Sequence, residues 1–241
     1  MALSEAQGVD TTALVEETIG DNLLRTAAAY PDREALVVRH QDIRWTYREL
    51  LDKVDELARA LVAHGFVKGD RIGIWAPNCA EWVLVQFATA RIGVILVNIN
   101  PAYRTHEVAY ALQQSGCRGL VSATTFKTSD YVAMVEEVRA EGTEIEQVVF
   151  IGTDDWTNLL AGAVNIDQSQ VDEIAASLDP NDAINIQYTS GTTGYPKGAT
   201  LSHRNILNNA YFVAEGCRYT HEDRVCVPVP FYHCFGMVMG V

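Results

Sequence analysis

The sequence predicts an α/β protein in which βαβ units form a mainly parallel sheet with flanking helices. Three observations carry that expectation. Between residues 71 and 151, short apolar runs of strand length alternate with stretches of helical spacing, the pattern that closes right-handed into a parallel sheet. Around residues 183–202, a period-two strand leads through a glycine-rich turn to a second short strand and a helix N-cap. The composition is that of an ordinary globular chain, with 48% hydrophobic and 20% charged residues over 241 positions, enough to bury a sizeable core.

Taken in order, residues 1–13 are polar and expected to be loose. Asp21 is the expected cap of a short helix over residues 22–29, which Pro31 ends. Residues 35–39 and 43–45 read as a hairpin with His40 and Arg44 pointing outward. Thr46-Tyr-Arg-Glu49 is a capping box. It opens a helix with Leu50, Val54, Leu57 and Leu61 on one stripe, closed by Gly65. Residues 71–75 are a strand, and Asn78 is expected to cap a helix to Arg91 that is apolar nearly all round and therefore buried. Strands at 94–98, 118–122 and 147–151 alternate with helices at 105–115 and 129–140. Residues 154–168 read as irregular, anchored by Trp156, with Asp154 and Asp155 as turn formers. A short helix at 169–178 leads to the strand at 183–188, where Ile184, Ile186 and Tyr188 share one face and Asn185 and Gln187 the other. Ser202 caps a helix over 204–217, residues 224–228 read as a further strand, and the apolar run from Phe235 reads as the start of another helix.

Charge and cysteine usage narrow the function classes. Eighteen basic against 31 acidic residues give a net charge of −13, which disfavours nucleic acid and anionic membranes as partners. The acidic stretch at 136–146 reads as a solvated helix face and its loop. Cys79, Cys117, Cys217, Cys226 and Cys234 contain no C-x-x-C pair and cannot all pair, so reduced thiols and no zinc site are expected. The first 20 residues lack a signal pattern. No apolar run reaches membrane-span length, and Arg91 interrupts the longest. The expectation is a soluble, cytoplasmic protein without an integral membrane segment.

The segment Tyr188-Thr-Ser-Gly-Thr-Thr-Gly-Tyr-Pro-Lys-Gly198 carries the chemistry. Gly191, Gly194 and Gly198 can take positive φ and let backbone approach a ligand closely. Successive N–H groups in such a turn form an anion-binding concavity. Thr189, Ser190, Thr192 and Thr193 add hydroxyl donors and Lys197 a mobile positive charge. A solvent-exposed hairpin would account for the glycines and threonines but not for a lysine just inside the second strand. The Walker A pattern does not fit, because Lys197 follows Pro196 and precedes Gly198 instead of Ser or Thr. In open α/β sheets ligands collect at the carboxyl ends of strands, where this segment falls. A second candidate is His233 in Pro228-Val-Pro-Phe-Tyr-His-Cys-Phe-Gly236. Alone it reads as a buried side chain between aromatics, but two prolines fix its backbone and the strand expected before it ends on the same side as the cradle.

The order Thr-Ser-Gly-Thr-Thr-Gly-x-Pro-Lys-Gly resembles the phosphate loop of the adenylate-forming superfamily. Thr46-Tyr-Arg-Glu-Leu50, Asn98-Ile-Asn-Pro-Ala-Tyr-Arg-Thr-His-Glu107, Leu201-Ser-His-Arg-Asn205 and Pro-x-x-His-x-x-Gly around His233 resemble acyl-CoA synthetases of the fatty-acid type, in the family's order. The resemblance implies that residues 1–241 are the N-terminal portion of the large domain, an incomplete form of the synthetase fold. The family segments holding the magnesium glutamate, the ribose aspartate, the hinge and the small C-terminal domain have no counterpart. It also implies a two-step reaction: a medium- or long-chain carboxylate attacks the α-phosphorus of ATP, releasing pyrophosphate, and the thiol of coenzyme A then takes the acyl group.

The implied roles are phosphate binding by Thr189, Ser190, Gly191, Thr192, Thr193, Gly194 and Lys197. Thr189 would also face Mg2+, Lys197 would orient phosphate, and His233 would lie near the reacting carboxylate. An amino-acid- or aryl-acid-activating enzyme, or a non-catalytic nucleotide-binding remnant, are the other readings. Alone, the 241-residue chain is expected to form no acyl-CoA, to bind ATP weakly at most, and to self-associate through unpaired sheet edges into a homo-oligomer.

Overall fold

The computed structural model describes residues 12–143, 145–189 and 196–240. Helix α1 (Ile19–Ala29) starts at Thr18, whose hydroxyl accepts from the Asp21 N–H while the Asp21 carboxylate accepts from the Thr18 N–H. Asp21 is therefore the reciprocal partner within a capping box and not the cap, because Thr18 offers the hydroxyl one turn earlier. Strands β1 (Glu34–Val38) and β2 (Ile43–Thr46) pair antiparallel as expected. Thr46 and Glu49 form the expected capping box of α2 (Tyr47–Ala63), which buries Leu50, Val54, Leu57 and Leu61. Gly65 follows with φ +82°, a left-handed turn that glycine adopts without strain.

After β3 (Arg71–Trp75) comes α3 (Ala80–Arg91), buried on all sides as its composition requires. Its N-cap is Cys79, without a side-chain bond, and the side-chain Oε1 of Gln41 accepts from the Ala80 N–H at 2.7 Å. The expected cap, Asn78, is engaged elsewhere. The chain continues through β4 (Ile95–Asn98), α4 (Thr105–Ser115) and β5 (Gly119–Ser122). A two-residue pair, β6 (Thr125–Phe126) and β7 (Ser129–Asp130), precedes α5 (Tyr131–Ala140) and β8 (Gln147–Phe150).

Residues 154–168 are not irregular. They form α6 (Asp154–Ala161) and a 3-10 turn, Gly162–Asn165. Thr153 accepts from the Asp155 N–H, Asp154 and Asp155 occupy the favourable first turn, and Leu159 is buried while Trp156 and Leu160 pack against the core. Then follow α7 (Gln168–Ala176), β9 (Ala183–Thr189), β10 (Lys197–Ser202), α8 (His203–Cys217), capped by Ser202, and α9 (Cys234–Gly240). The strand expected at 224–228 does not form. That segment is largely exposed and takes part in no ladder, and Pro228 and Pro230 cannot donate to one.

The central sheet has the order β10-β9-β4-β3-β5-β8, parallel except for β10 on the edge. The chain leaves β3 toward β4 and then crosses to β5 on the other side, so successive helices cover opposite faces. One core joins α1, α2 and α3 to Ile72, Ile74, Leu96 and Val121; the other joins α4 and α5 to Trp75, Val97, Ile99 and Leu120. This alternation along each strand is the period-two consequence of two covered faces. A Cβ at Gly73 would lie 3.0 Å from Leu112, so glycine lets α4 approach the sheet. Arg91, 1% exposed, bonds Asp55 of α2 at 3.0 Å and Asp172 of α7 at 2.8 Å, tying three helices together.

Candidate functional site

The candidate site lies at the carboxyl ends of β9, β4 and β3, beside the point where the strand order reverses. Thr189 is the last residue of β9 and Lys197 the first of β10, and the two are directly paired. The Thr189 hydroxyl faces the Lys197 carbonyl at 3.4 Å, and both residues are exposed. Ser190, Gly191, Thr192, Thr193 and Gly194 lie outside the described residues. The antiparallel register thus sets Thr189 and Lys197 at the two ends of the segment that joins the strands, on one face of the sheet. A Cβ at Gly198 would lie 2.9 Å from Ile186 Cγ2, so this position also needs glycine for close approach between β10 and β9.

Two tyrosines, Tyr110 of α4 and Tyr188 at the head of the segment, hold its flanks to α4. The Tyr110 hydroxyl donates to the Pro196 carbonyl at 3.1 Å, and the Tyr188 hydroxyl to the Ala111 carbonyl at 2.9 Å. Burial pushes the Tyr188 phenol up to about 12, which keeps it a proton donor at any working pH. An aromatic body with a polar tip is visible in the sequence, but the carbonyl it reaches is not.

His233 is exposed on a tight turn between Pro230 and α9. Its N–H donates to the Pro230 carbonyl at 3.2 Å, and the Gly236 N–H donates to the His233 carbonyl at 2.9 Å. The Phe235 N–H donates to His233 Nδ1 at 3.1 Å. A backbone N–H can only donate, so Nδ1 is the acceptor and the neutral ring carries its proton on Nε2. His233 therefore presents an N–H donor. Its placement owes nothing to a preceding strand, contrary to expectation; side chains from the sheet hold it instead.

Under that turn runs a buried amide ladder. Asn185 donates to Asn98 Oδ1 at 3.0 Å and Gln187 to Asn185 Oδ1 at 3.0 Å. Gln187 also reaches Met237 Sδ at 3.4 Å, and Asn98 the Phe231 carbonyl at 3.5 Å. Gln187 stands two residues before Thr189, so one strand feeds both the Thr189–Lys197 pair and the seat of the His233 segment. Amides within an otherwise apolar strand are the signal that could have flagged this network, since buried polar groups demand partners.

Among the described residues, no group of three His, Cys, Asp or Glu side chains could hold a metal, and no helix is long and apolar enough to cross a membrane. The described cysteines are free thiols.

Residues 23–241 match the family model described as AMP-binding enzyme. The chain is 40% identical over 249 residues to a protein named "Putative acyl-CoA synthetase YngI" from Bacillus subtilis, covering 95% of this chain and 45% of that protein. It is also 40% identical over 260 residues to "Medium-chain acyl-CoA ligase ACSF2, mitochondrial" from Danio rerio, covering 100% of this chain and 43% of that one. Among solved structures, the inhibitor-bound N-terminal domain of FACL13 from Mycobacterium tuberculosis superposes with a TM-score of 0.81 at 27% identity, over 92% of this chain and 54% of that one. The chain therefore spans less than half the length of these two sequence relatives.

Proposed function

The chain belongs to the AMP-binding enzyme family, and on that premise we propose that it supplies the phosphate-facing and acid-facing walls of an AMP-forming acyl-CoA ligase. The substrates are ATP, a medium- or long-chain aliphatic carboxylate and coenzyme A. The observation that carries the proposal is the Thr189–Lys197 pair across the carboxyl end of β9, bracketing the hydroxyl- and glycine-rich residues 190–194. The names of two relatives, an acyl-CoA synthetase and a medium-chain acyl-CoA ligase, favour an aliphatic acid.

In this reading Lys197 and the hydroxyls and N–H groups of residues 189–194 neutralise the nucleotide's phosphates as a second anion, the carboxylate, approaches. Nε2–H of His233 donates to a carboxylate oxygen and holds it in line. The residues fit Mg2+ modestly: Thr189 offers one exposed hydroxyl oxygen, which suits an ion carried largely by phosphate oxygens and water. When bound, Mg2+ would spread negative charge away from the attacked phosphorus.

The proposal is tested with a protein that continues this chain to the length of its relatives. Incubated with ATP, Mg2+, coenzyme A and a graded panel of saturated acids, it should release AMP and pyrophosphate with a preferred chain length. ADP and orthophosphate as products would refute it. Lys197→Ala should slow adenylation about ten- to a hundred-fold, the loss of one charge-assisted bond of roughly 1.5–3 kcal/mol. The melting temperature should scarcely move, because Lys197 is exposed. His233→Ala should raise KM for the acid and lower turnover while leaving ATP affinity unchanged, as measured by nucleotide titration without acid.

A further inference from the structure

Asn78, the cap expected from the sequence, stands one residue before the N-cap Cys79 and makes no cap. Its Nδ2 donates to the Val229 carbonyl at 2.9 Å, and its Oδ1 accepts from the Phe231 N–H at 2.8 Å. The two bonds straddle Pro230, so the carboxamide stands in for a strand partner to a segment that has none. Only an amide can donate and accept in parallel at this reach; a carboxylate would face the Val229 carbonyl with a second acceptor. Breaking a local rule in favour of a distant contact is a mark of functional positioning.

The grip on Phe231 passes directly to His233. The Phe231 ring packs 5.3 Å from the Trp82 ring of α3, and the Phe231 carbonyl faces Asn98 at the end of β4. His233 and Gly236 then close on Pro230: a Cβ at Gly236 would lie 2.4 Å from the Pro230 carbonyl oxygen. A turn packed that tightly moves as a unit with residues 229–231. Asn78 follows β3, whose carboxyl end shares the sheet edge with those of β4 and β9.

We propose that Asn78 is a positioning residue, whose paired bonds to Val229 and Phe231 fix the turn that presents the Nε2–H of His233 to the reacting carboxylate. The presentation to a carboxylate rests on the function proposed above; the clamp itself does not.

Two measurements separate these layers. Nitrogen-15 NMR of the imidazoles in the 241-residue chain should show His233 as the Nε2–H tautomer. In Asn78→Ala the tautomers should mix, and the Phe231 amide should exchange about tenfold faster for the loss of one bond. Unchanged tautomer and exchange would overturn the clamp. If Asn78→Ala does not fold, Asn78→Asp retains the acceptor for Phe231 and should loosen the turn partially; identity with the wild type would count against the clamp. In the longer protein, Asn78→Ala should raise KM for the acid and leave KM for ATP alone, and should add nothing in a His233→Ala background. An equal loss in both backgrounds, or a loss confined to ATP, would refute action through His233. A wild type that adenylates no acid would end the functional reading, and the NMR result would still decide the clamp.

Discussion

Arg91→Met should destabilise the fold by about 3–5 kcal/mol, the range for removing one partner of a buried ion pair. Arg91 is 1% exposed, and its guanidinium is the shared cation of Asp55 and Asp172. Burial already pushes the Asp55 carboxyl above its ordinary value, and only Arg91, with a lesser contribution from Gln168, pulls it back. Without Arg91 a mostly buried carboxylate is left without its cation. Thermal unfolding should fall by roughly 10 °C, given about 2–4 °C per kcal/mol for a domain of this size. The deficit should shrink on acidification, as Asp55 takes up a proton and loses its charge, and Arg91→Met with Asp55→Leu should recover much of the loss. A melting point within a degree of the wild type would mean the three helices do not depend on this pair.

Acidification of the wild type should cost about 3 kcal/mol through one residue, His203, since each tenfold difference in proton affinity between folded and unfolded chain is worth about 1.36 kcal/mol. His203 is fully buried at the start of α8; its Nδ1 accepts from the Ile19 N–H at 3.1 Å and its Nε2 has no hydrogen-bond partner among the described residues. Burial pushes the imidazole down from 6.5 to about 4, against the opposing pull of Asp182 and Asp21 and with a smaller contribution from Lys68. The unfolded chain therefore binds more protons than the folded one between those values. The stability contributed by neutral His203 is complete above about 6.5 and is lost as the pH falls to about 4. Because His203 anchors α1 through Ile19, the N-terminal helix should loosen first. His203→Asn, whose amide oxygen can replace Nδ1 as acceptor, should flatten urea-unfolding stability across this window. The same slope in both proteins would assign the acid sensitivity to other groups.

Local signals in the sequence read well wherever a residue's partner lies within a few positions. The Thr46–Glu49 box, the buried α3 and the Thr105–Ser115 helix are all there, because capping and periodicity act over one or two turns. Helix α6 escapes a reading of the sequence because eight residues with a polar first turn carry little periodicity, and its reason to form is packing of Trp156, Leu159 and Leu160 on the core. The strand expected at 224–228 fails for the opposite reason: β-propensity names a candidate, but a ladder needs a neighbour.

By itself the sequence determined the α/β class, the strand–turn–strand frame of Thr189 and Lys197, and the family, all of which rest on short-range pattern and motif. The tertiary structure alone decided which polar side chains serve the site. Asn78 had a local role on offer as a helix cap and took a distant one, 151 and 153 positions along the chain, with Val229 and Phe231. Tyr110, Asn98 and Gln187 likewise reach Pro196, Asn185 and Met237 only after the sheet closes. A hydrogen bond depends on distances of a fraction of an ångström between groups that chain connectivity leaves far apart, and packing is what sets those distances.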